Sequence, residues 1–262
     1  MRQENKSTMK LRRRNIALTV AYDGTNYCGF QWQSPPRRAV QNILEERLEK
    51  IFGDKIELSA AGRTDSGVHA FGQVVNFFTD GKIPLEKIPI AARAVLPEDI
   101  VVREAQEVDK NFSALHSAKS KIYLYRIFSA EVSNPLVNRF AWHIARPLDV
   151  NLMSDALKIL VGTHDFSSFK AAGGAPNMNP VRKIFDAEIF RENFFGSELL
   201  TIKIHASGFL YHMARNIVAL TVAVGRKNFS LSDFQKIFDA KDRRLVPATA
   251  PARGLCLQEV FY

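Results

Sequence analysis

Cysteine is nearly absent from this 262-residue chain. The two present, Cys28 and Cys256, stand far apart and form no Cys-x-x-Cys pair. Neither a disulfide framework nor a cysteine zinc site is therefore expected, and a reducing cytoplasm suits the chain. Long apolar runs are missing too: the stretch at 217–224 is far too short to cross a bilayer. The N-terminus is polar and basic, so no signal peptide and no membrane partner are expected. Apart from His164-Asp165, no set of His, Cys, Asp or Glu stands at metal-ligand spacing.

The rest of the composition is that of a soluble globular protein, with 46% hydrophobic and 24% charged residues. The length admits one large domain or two of ordinary size. Charge is more informative. Thirty-six Lys and Arg face 27 Asp and Glu, for a net +9. Residues 1–14 form a basic arm in which Arg2, Lys6, Lys10, Arg12, Arg13 and Arg14 are opposed only by Glu4. Such an excess fits a polyanionic partner, most simply nucleic acid, and equally a solvated basic surface with a solubilising tail.

Periodicity divides the chain into two similar halves. The first predicts a strand at 15–22, a helix at 40–52, short and longer strands at 56–60 and 72–79, a helix at 84–96 and a strand at 100–108. The second predicts strands at 121–128, 182–190 and 200–207, helices at 151–161, 211–224 and 231–239, and a last strand at 255–262. A Gly-rich loop is expected over 173–177. The order β-α-β-β-α-β in each half gives an α+β protein of two tandem ferredoxin-like (split βαβ) modules with antiparallel sheets. The modules are expected at 15–112 and 113–262.

One segment concentrates chemical character: Ala61-Gly62-Arg63-Thr64-Asp65-Ser66-Gly67-Val68-His69-Ala70-Phe71. Asp65 lies between two glycines, on a turn between two strands, with Arg63 two residues before it. Glycines let a backbone turn sharply or approach a ligand, and a rigid sheet end is a place to mount a reactive acid. Asp65 taken alone is also an ordinary turn aspartate bonding its own backbone. Metal binding by Asp65 and His69 would need further ligands. The segment lacks the spacing of a phosphate-cradling P-loop.

Two further positions qualify. Tyr123 and Tyr125 share a strand face and can stack on nucleobases or pack in the core. Arg215 falls within an apolar helix, where it either pairs with a buried carboxylate or lies on the helix's polar side.

At these residues the chain resembles the tRNA pseudouridine synthase A family. The segment 62–70 is similar to that family's catalytic motif. Further similar blocks are Tyr22-Asp23-Gly24-Thr25 with Tyr27 and Gly29-Phe30-Gln31, Leu96-Pro97-Glu98-Asp99-Ile100, residues 162–169, residues 208–218, and Thr249-Ala250-Pro251-Ala252-Arg253-Gly254-Leu255. The chain departs from the family pattern at Asn111, where an arginine is usual, and at Ala92-Arg93.

The resemblance implies a cytoplasmic enzyme, usually a homodimer, whose two ferredoxin-like halves have the active site in a cleft between them. It implies conversion of uridine to pseudouridine at positions 38, 39 and 40 of the tRNA anticodon stem-loop, with no metal and no cofactor. By motif match, Asp65 would be the nucleophile and Tyr123 would contact the uracil. Arg63 would help extrude the base, Arg215 would pair with Asp65, and Leu255 would pack under the uracil. The residues also leave open a non-catalytic RNA-binding protein and a metal-dependent nuclease or phosphatase.

Overall fold

The computed structural model describes residues 14–173 and 178–262. The expected basic arm, apart from Arg14, and residues 174–177 of the expected loop lie outside the described residues. The structure is mixed α+β, with a mostly antiparallel arrangement of strands. The chain divides into two compact units. One takes in the chain up to Lys119 together with Leu257–Tyr262, and the other is Ser120–Cys256.

The first unit contains β1 (Arg14–Tyr22), α1 (Val40–Phe52), β2 (Ser59–Ala60), β3 (His69–Thr79), α2 (Ile88–Val95) and β4 (Ile100–Val108), and is completed by most of β10 (Leu255–Phe261). Strand order is β4-β1-β3-β10, with β2 also on β3. Strand β1 is flanked antiparallel on both sides, Leu18 facing Val75 of β3 and Ala105 of β4. Its alternating Ile16, Leu18, Val20 and Tyr22 are all buried. Helix α1 buries Val40, Leu44, Leu48 and Phe52, one residue per turn along a single stripe. Each such side chain contributes about 1.5–3 kcal/mol by leaving water. Gly53, at φ 69°, ends the helix.

The helix predicted over 84–96 is two pieces in the structure. A 3₁₀ turn, Leu85–Lys87, runs into α2, and Pro89 sits in the first turn of α2. A proline has no N–H to donate, and only there is the lost donor harmless. The buried amides of Asn15 and Asn76 tie down the segment that follows β4. Asn15 donates to the carbonyls of Asp109 and Phe112, Asn76 donates to Asn15, and Asn76 accepts from the Ala114 N–H.

The second unit contains β5 (Ser120–Ser129), β6 (Trp142–Ile144), α3 (Val150–Lys158), β7 (Gly162–Asp165), β8 (Val181–Phe194), β9 (Ser197–Ala206), α4 (Met213–Gly225) and α5 (Leu231–Asp239). Strand order is β5-β9-β8-β7, with the short β6 parallel to β5. Strands β6 and β7 have three and four residues, too few for an alternation to register in the sequence. Strands β8 and β9 form a hairpin through Phe195 and Gly196, both at positive φ, as a two-residue turn between twisted strands requires. Helix α4 is buried on every side, and Arg215 alone among its residues is not. Phe166, Phe169, Phe234 and Phe238 pack ring against ring beside it. Among the described residues no helix is long and apolar enough to cross a membrane.

Candidate active site

The segment singled out in the sequence is the connection from β2 to β3, and hydrogen bonds hold it at six backbone groups and at the Thr64 and Ser66 side chains. The Ala61 N–H donates to the Val74 carbonyl at 2.8 Å, and the Gln73 side chain donates to the Gly62 carbonyl at 2.8 Å. The Thr64 carbonyl accepts from the Phe30 N–H at 3.0 Å, while its hydroxyl shares a 2.7 Å bond with the buried Tyr22 hydroxyl. The Ser66 hydroxyl and the Gly67 N–H both donate to the Tyr27 carbonyl. The Val68 N–H closes a turn onto the Asp65 carbonyl at 3.1 Å. Gly67, third in that turn, has φ 76°, a conformation glycine adopts without a steric penalty.

The sequence block around residues 22–31 supplies most of these contacts. Gly29 is at φ 98°, and a Cβ built on it would lie 2.8 Å from the Thr64 oxygen and 3.2 Å from the Asp65 carbonyl carbon. Gly24 presses in the same way on the Val68 carbonyl, and its N–H donates to His69 Nδ1 at 3.1 Å. His69 is buried, and its Nδ1 is also 3.1 Å from Asp23 Oδ1. Its ring is thus engaged with the segment at 23–24. The block at 96–100 enters through Asp99. Its carboxylate accepts the Tyr27 hydroxyl at 2.6 Å, and its carbonyl accepts the Asp23 N–H. Burial, reinforced by that carboxylate, pushes the Tyr27 phenol well above its ordinary pKa. Blocks far apart in sequence therefore converge on one loop. From that loop the half-buried Asp65 and the exposed Arg63 project. Among the described residues the Arg63 side chain has no hydrogen bond or ion pair. No three His, Cys, Asp or Glu side chains among the described residues converge as a metal site would require.

Tyr123, Arg215 and Leu255 belong to the second unit. Tyr123, on β5, is buried and meets Phe209 edge-on at 4.7 Å. Tyr125, on the same face of that strand, is a core residue: it is 1% exposed and its hydroxyl donates to the Pro251 carbonyl at 2.8 Å. Of the two tyrosines, packing therefore claims Tyr125. Arg215, in the first turn of α4, donates from Nε to the Ala250 carbonyl at 2.8 Å, and the Ala250 N–H returns to the Arg215 carbonyl. Leu255 is buried and follows the 3₁₀ turn Ala252–Gly254. The segment at 250–255 thus links two of the sequence-predicted residues. Lys121, two residues before Tyr123, is half-buried. Burial, and then the nearby charge of Arg182, lower its pKa.

Sequence reasoning did not find Tyr22, Gln73 or Thr64 as supports of the loop. Each acts across a gap of 11 to 42 residues, which no local pattern records.

Comparison with known proteins now places the chain. The family model described as tRNA pseudouridine synthase matches residues 18–115 and 156–262. The chain is 41% identical over 249 residues to "tRNA pseudouridine synthase A" of Thermoanaerobacter sp. (strain X514), which covers 95% of this chain and all of that relative. It is 43% identical over 246 residues to the protein of the same name from Lacticaseibacillus casei (strain BL23), covering 94% of this chain and 98% of the relative. Among solved structures, the "archaeal box H/ACA sRNP Nop10-Cbf5 complex" is similar at 11% identity and a TM-score of 0.35, covering 86% of this chain and 47% of that one. The chain belongs to the tRNA pseudouridine synthase A family. Such enzymes are isomerases that convert uridine to pseudouridine within tRNA.

Proposed function

We propose that this chain isomerises uridines 38, 39 and 40 of the tRNA anticodon stem-loop, with Asp65 as nucleophile. The observation that carries the proposal is the build of the loop at 61–68. The loop is held through the Thr64 hydroxyl from β1 and through its backbone from β3 and the segment at 24–30, while Arg63 remains exposed and uncommitted. A carboxylate on so fixed a loop is pre-positioned, and pre-positioning converts binding energy into rate.

The reaction breaks the C1′–N1 glycosidic bond, turns the uracil and forms a C1′–C5 bond. The C5 proton is lost and N1 gains one, so no atom and no electron is gained or lost overall. Neither metal nor cofactor enters this scheme. Asp65 takes part covalently or by removing a proton from the sugar. The target base is stacked in the stem and must leave it at a cost of a few kcal/mol. In this reading Arg63 helps to extrude the base, Tyr123 contacts the uracil, Leu255 packs under it, and Arg215 keeps Asp65 ionised. Phosphate contacts from Lys and Arg supply affinity, and sites on both strands of one stem-loop suit recognition by shape. The proposal includes two ferredoxin-like halves, a homodimer and a cytoplasmic enzyme.

The test is an anticodon stem-loop RNA labelled with tritium at uridine C5. Wild-type protein is expected to release tritium and leave pseudouridine at 38–40, and Asp65→Asn to release none. Full release by Asp65→Asn would remove Asp65 from the chemistry. Pseudouridine at other positions only would refute the assigned substrate sites.

A further inference from the structure

Residues 246–251 lie between a 3₁₀ turn (Arg243–Leu245) and the turn that precedes Leu255, and they belong to no helix or strand. Two of them, Pro247 and Pro251, have no N–H. Backbone groups in such a segment must find other partners, and here side chains supply them. The Val246 and Pro247 carbonyls accept from Arg243, at 2.8 Å to Nη1 and 3.2 Å to Nη2. The Ala250 carbonyl accepts from Arg215, and the Pro251 carbonyl from Tyr125.

Arg243 does more than bind two carbonyls. Its Nη2 also donates to Asn216 Oδ1 and to Thr249 Oγ1, both at 3.0 Å. The Thr249 hydroxyl donates in turn to Asn216 Oδ1 at 2.8 Å. Asn216 is fully buried, and its Nδ2 donates to the Phe169 carbonyl at 2.8 Å. The set is closed: two donors meet the amide oxygen, and the amide nitrogen meets a carbonyl. Every acceptor of the Arg243 guanidinium is neutral, and among the described residues no carboxylate pairs with it. A half-buried arginine that forgoes a carboxylate is costly to place. Its fork geometry reaches several acceptors at once, as a lysine ammonium cannot.

We infer that Arg243, through Asn216 and Thr249, is a positioning residue for the isomerisation, fixing the segment whose Ala250 carbonyl orients the Arg215 guanidinium. Asn216 is the neighbour of Arg215 on α4, so the clasp secures both ends of the Arg215–Ala250 contact. The same segment leads directly into Leu255. The inference rests on the proposed roles of Arg215 and Leu255 toward the uridine.

The test is a double-mutant cycle of Arg243→Gln and Arg215→Ala. It is read as the single-turnover rate on saturating stem-loop RNA, alongside RNA affinity and thermal stability. Arg243→Gln is expected to slow the rate by about tenfold to a hundredfold, the size of losing hydrogen bonds to a charged group. RNA affinity should change by less than about threefold, since the group acts on the reacting geometry. Arg243→Lys should restore little of the rate. With Arg215→Ala already present, Arg243→Gln should cost less than about twofold more, because both act on one contact. Wild-type rate in Arg243→Lys, or losses that multiply in the double variant, would make Arg243 a stability element only. A slow Arg215→Ala beside a normal Arg243→Gln would overturn this inference alone. A normal Arg215→Ala would overturn the assigned role of Arg215 and the inference with it. If Arg243→Gln does not fold, Thr249→Val removes the bridging hydroxyl and is expected to show the same non-additivity on a smaller scale. Multiplicative losses there would refute the clasp.

Discussion

Gly29 and Asp65 are in backbone contact: a Cβ on Gly29 would lie 3.2 Å from the Asp65 carbonyl carbon and 2.8 Å from the Thr64 oxygen. Gly29 is also at φ 98°. Gly29→Ala therefore both strains its own backbone and displaces the loop that carries Asp65. A loss of about 1–3 kcal/mol is expected from the strained conformation, which lowers the melting temperature by about 2–4 °C per kcal/mol. Turnover should fall further than the folded fraction does, because the displaced group is the carboxylate. Wild-type turnover in folded Gly29→Ala protein would show that the loop tolerates the shift.

Arg63 makes the opposite prediction. It is exposed and has no hydrogen-bond or ion-pair partner among the described residues. Arg63→Ala should leave the melting temperature unchanged. If Arg63 helps to extrude the base as proposed, turnover should drop on the order of tenfold to a hundredfold. Calorimetry and tritium release on the same preparation check both halves. A fall in stability would mean that Arg63 serves the fold.

Glu45 supplies a pH dependence unconnected with the chemistry. Burial raises its carboxyl above the ordinary range, against hydrogen bonds from the Leu58 N–H and Gln41 that act to lower it. With the folded pKa above the unfolded one, the native state holds the extra proton between the two values. Stability from this group is therefore full below the unfolded pKa and is lost as pH rises through the folded pKa. Glu45→Gln keeps an amide oxygen as acceptor and cannot ionise. Its melting temperature relative to wild type should rise as pH increases through that window. A difference that does not vary with pH would place the carboxyl in water.

The basic arm can be tested by truncation, and the structure sets where the cut must fall. Arg14 belongs to β1, pairs with Glu107 at 2.9 Å and donates to the carbonyls of Gly81 and Ile83. Removal of residues 1–13 should lower both tRNA affinity and the slope of log affinity against log salt, by about 0.7–0.9 for each phosphate that the arm neutralises. An unchanged slope would make the arm a bystander. A cut through Arg14 would confound the measurement with damage to β1.

Much of the architecture was legible because its signals are local. The spacing of Val40, Leu44 and Leu48 announces α1, and the helix at 231–239 and the strand at 100–108 match their predicted limits. The strand predicted at 56–60 shrinks to Ser59–Ala60, because only those residues face β3. The short β6 and β7 escaped, as did the hairpin turn at Phe195, a residue that gives no turn signal.

By itself the sequence determined most of the order of helices and strands, and it marked the segment around Asp65 as the candidate for chemistry. Asp65 between its glycines, and the order of blocks around it, are readable along one dimension. The apolar run of α4, interrupted at Arg215, is readable in the same way. Only the tertiary structure decided which side chains each block meets. Tyr22 reaches Thr64, Asp99 reaches Tyr27 and Arg243 reaches Asn216, in each case between residues far apart in sequence. The physical reason is that side-chain hydrogen bonds depend on separation in space and on freedom from competing water. Both are set only when the strands and helices have packed.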